Sequence, residues 1–134
     1  MNNFPLKIVT PDGLQFDGPA EELIVRTTTG DLGILAGHIN CVAPLGMGRA
    51  CVIADGEKRY AACIGGMVSV IGGEVTLLPT TFEWSDRIDV SRANASEDRA
   101  RKVLSDKNAT KTDLRLAEAR LKRALVRKNV AAQQ

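Results

Sequence analysis

The stretch Glu83-Trp84-Ser85-Asp86-Arg87-Ile88-Asp89-Val90-Ser91-Arg92-Ala93 separates two parts of a 134-residue chain that follow different rules. Before it, glycine and proline punctuate short apolar and β-branched runs. After it there is neither glycine nor proline, and alanine, leucine, lysine and arginine dominate. Glycine and proline interrupt regular backbone, whereas alanine and long unbranched side chains lose least on becoming helical. The shift predicts a β domain over residues 1–84 and a helical one over 85–134.

Upstream, Leu6 to Val9 and Leu14 to Phe16 flank Thr10-Pro11-Asp12-Gly13, where proline presets φ and glycine supplies a tolerant turn position. Glu22 to Thr27 alternates, with Leu23 and Val25 on one face. Gly30 to His38 holds three glycines in eight positions, Gly30, Gly33 and Gly37, a density that suits tight turns better than a regular strand. Asn40 to Pro44 and Gly48 to Ala54 read as strands, and Asp55-Gly56 favours a type I′ hairpin into Lys58 to Ile64. Gly65-Gly66 divides that run from Met67 to Ile71, and Glu74 to Leu78 closes the series before Pro79. Some nine short strands at this spacing predict an all-β sandwich or barrel, of which an antiparallel β-sandwich is the fold class expected here.

Downstream, Asp89 is a candidate N-cap for a helix whose face carries Ala93, Ala100, Val103 and Leu104. Ser105 to Ala109 interrupts it. Thr110-Lys111-Thr112-Asp113 matches a capping box, and Leu114, Ala117, Leu121, Ala124 and Leu125 recur at helical spacing. The result is an antiparallel two-helix hairpin with a thin, alanine-rich seam, held weakly to whatever it touches because alanine buries little surface. Such a hairpin either sits statically on the sandwich or moves.

The net charge of +2 conceals an asymmetry: residues 1–84 carry five Lys/Arg against nine Asp/Glu, and residues 85–134 carry thirteen against seven. A basic half suits its own acidic half, an acidic partner or a phosphate ligand, and equally a solvated helical surface. Arg92 and Arg99 share one face of the first helix and Arg123 and Arg127 one face of the second, so folding the hairpin can converge guanidiniums whose forks match phosphate oxygens. A stand-alone module for nucleic acid is the rival reading, opposed by the acidic first half and by an aromatic content of 4%. An enzyme is opposed by a single histidine, His38, and by the lack of clustered carboxylates. Cys41, Cys51 and Cys63 are too widely spaced for a zinc framework and read as buried thiols. No secretion signal or run of ~20 apolar residues is present, which predicts a cytosolic chain.

Taken in order, Thr10-Pro11-Asp12-Gly13, Gly30-Asp31-Leu32-Gly33 through Gly37-His38, Ile64-Gly65-Gly66, Ile88-Asp89-x-x-Arg92-Ala93 and Lys122-Arg123-Ala124 span the whole chain. In these the sequence resembles the ε subunit family of bacterial F-type ATP synthases. Ala36 departs from it, standing where many members have proline. The resemblance implies a non-catalytic rotor subunit of the central stalk: a sandwich on the γ subunit and the c-subunit ring, peripheral to the cytoplasmic face of the membrane, with a mobile hairpin. That hairpin can extend towards the α and β subunits and block ATP hydrolysis. The resemblance puts Asp31 at the c ring and His38 near γ. No cofactor is required, but ATP is implied as a regulatory ligand of the folded hairpin, held by Ile88, Asp89, Arg92 and Ala93, with Glu83, Arg99, Arg123 and Arg127 as further contacts.

Overall fold

The computed structural model describes residues 2–133. Eight strands, β1 (Phe4–Thr10), β2 (Gly13–Ala20), β3 (Glu22–Thr27), β4 (Gly30–Leu35), β5 (Cys41–Pro44), β6 (Met47–Ala54), β7 (Glu57–Ile71) and β8 (Glu74–Trp84), precede a 3₁₀ turn at Ser85–Arg87. Two helices follow, α1 (Val90–Leu104) and α2 (Lys111–Ala131). The strands run in the order β2-β1-β8-β7-β6-β3-β4, with β5 pairing to β7, and the pairings are antiparallel except β1 with β8. The fold class is therefore the predicted one, a β-sandwich followed by a helical hairpin.

Local chemistry explains the turns. Thr10 Oγ1 accepts from the Asp12 N–H at 3.1 Å, closing the β1–β2 hairpin at the predicted Pro11-Asp12-Gly13 turn. Asp55 and Gly56 both take positive φ, 53° and 74°, as a type I′ turn requires.

The structure corrects three sequence readings. Gly30 to Leu35 is a regular strand, β4, paired with β3 from Thr27–Gly30 to Glu22–Leu35. It lies at the end of the sheet order, where a glycine such as Gly33 faces no neighbour and costs little packing. Gly65-Gly66 does not divide two strands, and Pro79 does not end one; β7 and β8 pass through them, so the strands number eight, not nine. Here the β7–β8 ribbon turns over. Ala61 and Cys63 face the core with Phe82 and Trp84, but beyond the glycines the inward residues are Val68 and Val70 with Val75 and Leu77. Parity changes in both strands while their register holds, which lets one ribbon serve both layers of the sandwich. Pro79 is tolerated because the pairing of β8 with β1 has ended at Leu77.

That reversal turns Ala62 outward, away from the main core, to face the hairpin. A second, smaller apolar cluster forms from Ala62, Ile88 and Val130, with Tyr60, Val126 and Ala131 packed around it. At the end of β8, Trp84 stacks edge-on against Phe82 with ring centroids 4.9 Å apart, and the Arg59 guanidinium covers Trp84 at 3.7 Å. This fixes the direction in which the chain leaves the sandwich. Of the thiols, Cys51 and Cys63 are buried and Cys41 is half-buried; burial pushes the Cys63 thiol up to about 12.

Gly66 is the residue that the crossover needs. Its φ is +96°, and a Cβ there would lie 2.0 Å from the Leu78 carbonyl oxygen. G66A should therefore destabilise the chain by more than about 2 kcal/mol, whereas G72A, at φ +59° in open space, should cost about 1 kcal/mol. Urea unfolding of both variants checks this, and equal losses would remove the close approach as the cause.

Candidate functional site

The helices start where the sequence predicts. Asp89 Oδ1 accepts the Arg92 N–H at 3.1 Å, and Thr110 and Asp113 form a reciprocal capping box at 3.1 Å each way. Between the helices the fully buried side chains are alanines: Ala93 and Ala100 from α1, Ala117 and Ala124 from α2. Methyl-sized contacts let the two backbones lie close, and the longer side chains are displaced to the edges of the seam.

On one edge those side chains surround a cleft of about 540 Å³ between the hairpin and the sandwich. Ile64 of β7 and Thr81 and Glu83 of β8 form its floor; Ser96 and Arg99 come from α1. Arg120, Arg123, Ala124 and Arg127 come from α2. The volume lies within the range of small-molecule sites, roughly 300–1,000 Å³. Helical spacing places Arg120, Arg123 and Arg127 on one face, since i, i+3 and i+7 fall within a narrow stripe.

One guanidinium is already engaged. Arg127 Nη2 donates to Glu83 Oε2 at 3.2 Å, and Arg127 Nε lies 2.7 Å from Glu83 Oε1. The Nε contact is an ion pair without a hydrogen bond, because its N–H lies off the line to the carboxylate and finds no acceptor. The next residue turns the other way: Lys128 Nζ donates to Glu97 Oε1 at 2.7 Å, and Arg101 Nε donates to Glu97 Oε2 at 2.9 Å. Consecutive cations of α2 thus reach β8 and α1.

Of the eight residues that the sequence suggested as nucleotide contacts, the structure gathers Glu83, Arg99, Arg123 and Arg127 around the cleft. The other four lie elsewhere. Ile88 is buried against Ala62 and Val130, Asp89 caps α1, Ala93 sits in the seam, and Arg92 is exposed on the first turn of α1. Arg120 and Ser96 line the cleft but were not foreseen; the i, i+3, i+7 spacing of the three α2 arginines is the signal that could have found the former.

Asp31 and His38 lie on the sandwich. Asp31 is exposed on β4 and paired to Arg26 at 2.6 Å. Half-buried His38 follows β4, with Nδ1 2.8 Å from the Ile39 carbonyl. Nearby, Asn40 Oδ1 accepts the Gly72 N–H at 2.9 Å, which ties this loop to the β7–β8 turn and brings exposed Ile39 and Ile71 to the same end.

Comparison with known proteins fits this architecture. A family model described as the beta-sandwich domain of the ATP synthase Delta/Epsilon chain matches residues 3–85. A second, the long alpha-helix domain of the same chain, matches residues 86–132. The chain belongs to the ATP synthase delta/epsilon family. It is 43% identical over 131 residues to the ATP synthase epsilon chain of Bacillus pumilus, covering 98% of each, and 43% identical over 129 residues to that of Ruminococcus albus, covering 96% of each. Its fold resembles that of a chain in the Euglena gracilis mitochondrial ATP synthase (TM-score 0.84, 22% identity, 98% of this chain and 82% of that one). A chain in the central stalk and c-ring structure of the Tetrahymena thermophila enzyme is more distant (TM-score 0.62, 14% identity, 95% of each).

Chains of this delta/epsilon family are subunits of a larger enzyme, in keeping with the non-catalytic reading of the sequence. Among the described residues no group of three or more His, Cys, Asp and Glu side chains is placed to hold a metal ion. Among the same residues no helix is long and apolar enough to cross a membrane.

The Glu97 bridge should make the hairpin acid-sensitive. Its hydrogen bonds, first from Lys128 and then from Arg101, hold the carboxyl below the ordinary value of 4.5. A carboxylate with a lowered folded pKa contributes stability above its unfolded pKa and loses it as pH falls through the folded value. Acidification below 4.5 should therefore loosen α1 from α2, and E97Q should flatten the response. Hydrogen exchange of α1 amides, corrected for intrinsic rates, measures this; an equal acid response in both proteins would exclude Glu97 as its source.

Proposed function

We propose that this chain is a rotor subunit of the central stalk of a proton- or sodium-translocating F-type ATP synthase, and that its hairpin restrains ATP hydrolysis unless ATP holds it folded. Family membership supports the assembly, since the relatives are named as epsilon chains and the structural neighbours come from F1, c-ring and central-stalk complexes. The end of the sandwich that carries His38, Ile39 and Ile71 supports docking on γ, because exposed apolar side chains gathered at one place mark interaction surfaces. Asp31, on the exposed edge strand, faces the c ring in this reading. The chain is then peripheral to the cytoplasmic face of the membrane through its partners.

One observation carries the regulatory part. The arginine-lined cleft draws its walls from β7, β8, α1 and α2 together, so it exists only while the hairpin lies on the sandwich. A ligand that fills it binds the folded form and not the extended one, and a ligand shifts a conformational equilibrium through such differential affinity. ATP supplies the phosphate oxygens that guanidinium forks match. Once folded, the basic helices are withheld from the α and β subunits; once released, they can reach them.

Titration calorimetry on the intact chain should show binding of ATP, and absence of heat at millimolar ATP would sink the regulatory reading. In the host enzyme, ending the chain after Arg87, which keeps β8 and Trp84 whole, should raise ATP hydrolysis most at low ATP. Unchanged hydrolysis at every ATP concentration would mean that the hairpin does not inhibit.

A further inference from the structure

A different flank of α2, on the side away from α1, borders a groove of its own. Arg115, Ala119, Lys122, Val126, Asn129 and Gln133 recur at intervals of three or four residues and so form one stripe along the helix. Three cavities of about 430, 500 and 430 Å³ follow that stripe between α2 and the sandwich. They adjoin one another: Met47 lines all three, Lys122 the first two, and Arg26, Val126 and Asn129 the second and third. At 1.5 Å of rise per residue the stripe runs roughly 27 Å, the span of about eight residues of extended chain. The groove shares no lining residue with the arginine-lined cleft.

Its floor is apolar and reached by water, since Ile24, Met47, Leu121, Leu125 and Val126 are all half-buried. Its rim is basic. Arg115 and Lys122 come from α2 and Arg26, Arg49 and Lys58 from the sandwich, against Asp31 and Glu118, an excess of three positive charges. Asp31 is taken by Arg26, and among the described residues Arg49, Lys58, Arg115 and Lys122 enter no ion pair. An apolar floor under a cationic rim complements a segment that carries apolar and acidic side chains together. The flexible thioether of Met47, common to all three cavities, suits a surface that must fit side chains of differing shape. Nucleic acid fits less well: Tyr60 packs into the small apolar cluster and carries the Arg49 guanidinium at 4.8 Å, so its ring is not free to stack on a base.

We propose that this groove docks an acidic peptide segment of a partner protein, its apolar side chains on Met47, Leu121 and Leu125 and its carboxylates at Arg115, Lys122 and the cations of the sandwich. One wall is α2 and the other is the sandwich, so the groove exists only while the hairpin is docked. A segment bound along it straps the hairpin down without any nucleotide, and both flanks of α2 can be occupied at once.

The test uses the intact chain and a labelled eight-residue peptide of alternating Glu and Leu, followed by fluorescence anisotropy. Matching peptides with Gln or Lys in place of Glu serve as comparisons. The acidic peptide should bind, the Gln peptide should bind about tenfold more weakly, and the Lys peptide should not bind. K122Q should weaken the acidic peptide about threefold, the loss expected for one exposed ion pair. R120Q removes the same charge from the other flank and should leave the affinity unchanged. Far-ultraviolet circular dichroism and thermal unfolding establish that both variants fold. Failure of the acidic peptide to bind, equal binding of the three peptides, or a K122Q variant that behaves like R120Q would overturn the proposal. Tighter binding of a single-stranded oligothymidylate, lost in K122Q, would give the groove to nucleic acid and overturn it as well. So would sedimentation showing a dimer that K122Q dissociates and the acidic peptide does not, since the occupant would then be a second copy of the chain.

Discussion

Ala62 of β7, Ile88 ahead of α1 and Val130 near the end of α2 make the small apolar contact on which the position of the hairpin depends. It gathers the point where the chain leaves the sandwich and the point where it returns onto one small side chain. Burying an Ile or Val contributes about 1.5–3 kcal/mol, so the contact is a matter of a few kcal/mol. The main core, by contrast, holds eighteen buried side chains, from Phe4 to Trp84. The Arg127–Glu83 ion pair lies beside the small cluster and is partly shielded from water, but one of its N–H groups has no acceptor. It orients the returning helix more than it anchors it. Undocking the hairpin therefore costs far less than unfolding the sandwich, which is the usual energetic signature of a separable unit.

The reversal of the β7–β8 ribbon is what makes this contact available. Were the alternation unbroken, Ala62 would share its face with Val68 and Val70 and point into the core. Instead, the positive φ of Gly65 and Gly66 turns the ribbon over at one level, and a single long hairpin supplies both core residues and a landing site. The helix seam continues the same economy of size. With Ala93, Ala100, Ala117 and Ala124 buried between them, the helices approach closely while their arginines are pushed to the rim.

Much of this was legible in the residues because it is local. Asp89, Thr110 and Asp113 act as caps through bonds to amides three residues away, and the change in glycine and proline content marks where the sheet ends. The errors were failures of neighbourhood. Gly30 and Gly33 look like turn residues until β3 is placed beside them, and Gly65-Gly66 and Pro79 look like breaks until each is seen opposite the other across β7 and β8. The cleft was half legible for the same reason. Arg120, Arg123 and Arg127 could be grouped by spacing along α2, whereas Ser96 joined them only when α1 was laid against α2. Ile88 and Ala93 are packed in the structure, Ile88 against Ala62 and Val130 and Ala93 on the buried face of α1.

Weak docking and excess charge belong together. For a ligand to control a conformational equilibrium, the unliganded difference between the two states must be no larger than the ligand can supply, and some 5.5 kcal/mol is needed to carry a population from 1:99 to 99:1. A leucine seam, or a full apolar interface with the sandwich, would hold the hairpin down whether or not anything occupied the cleft. An alanine seam does not, and the guanidiniums of Arg99, Arg120 and Arg123 subtract from it further. Lowering that charge by neutral substitution would therefore stabilise the folded hairpin.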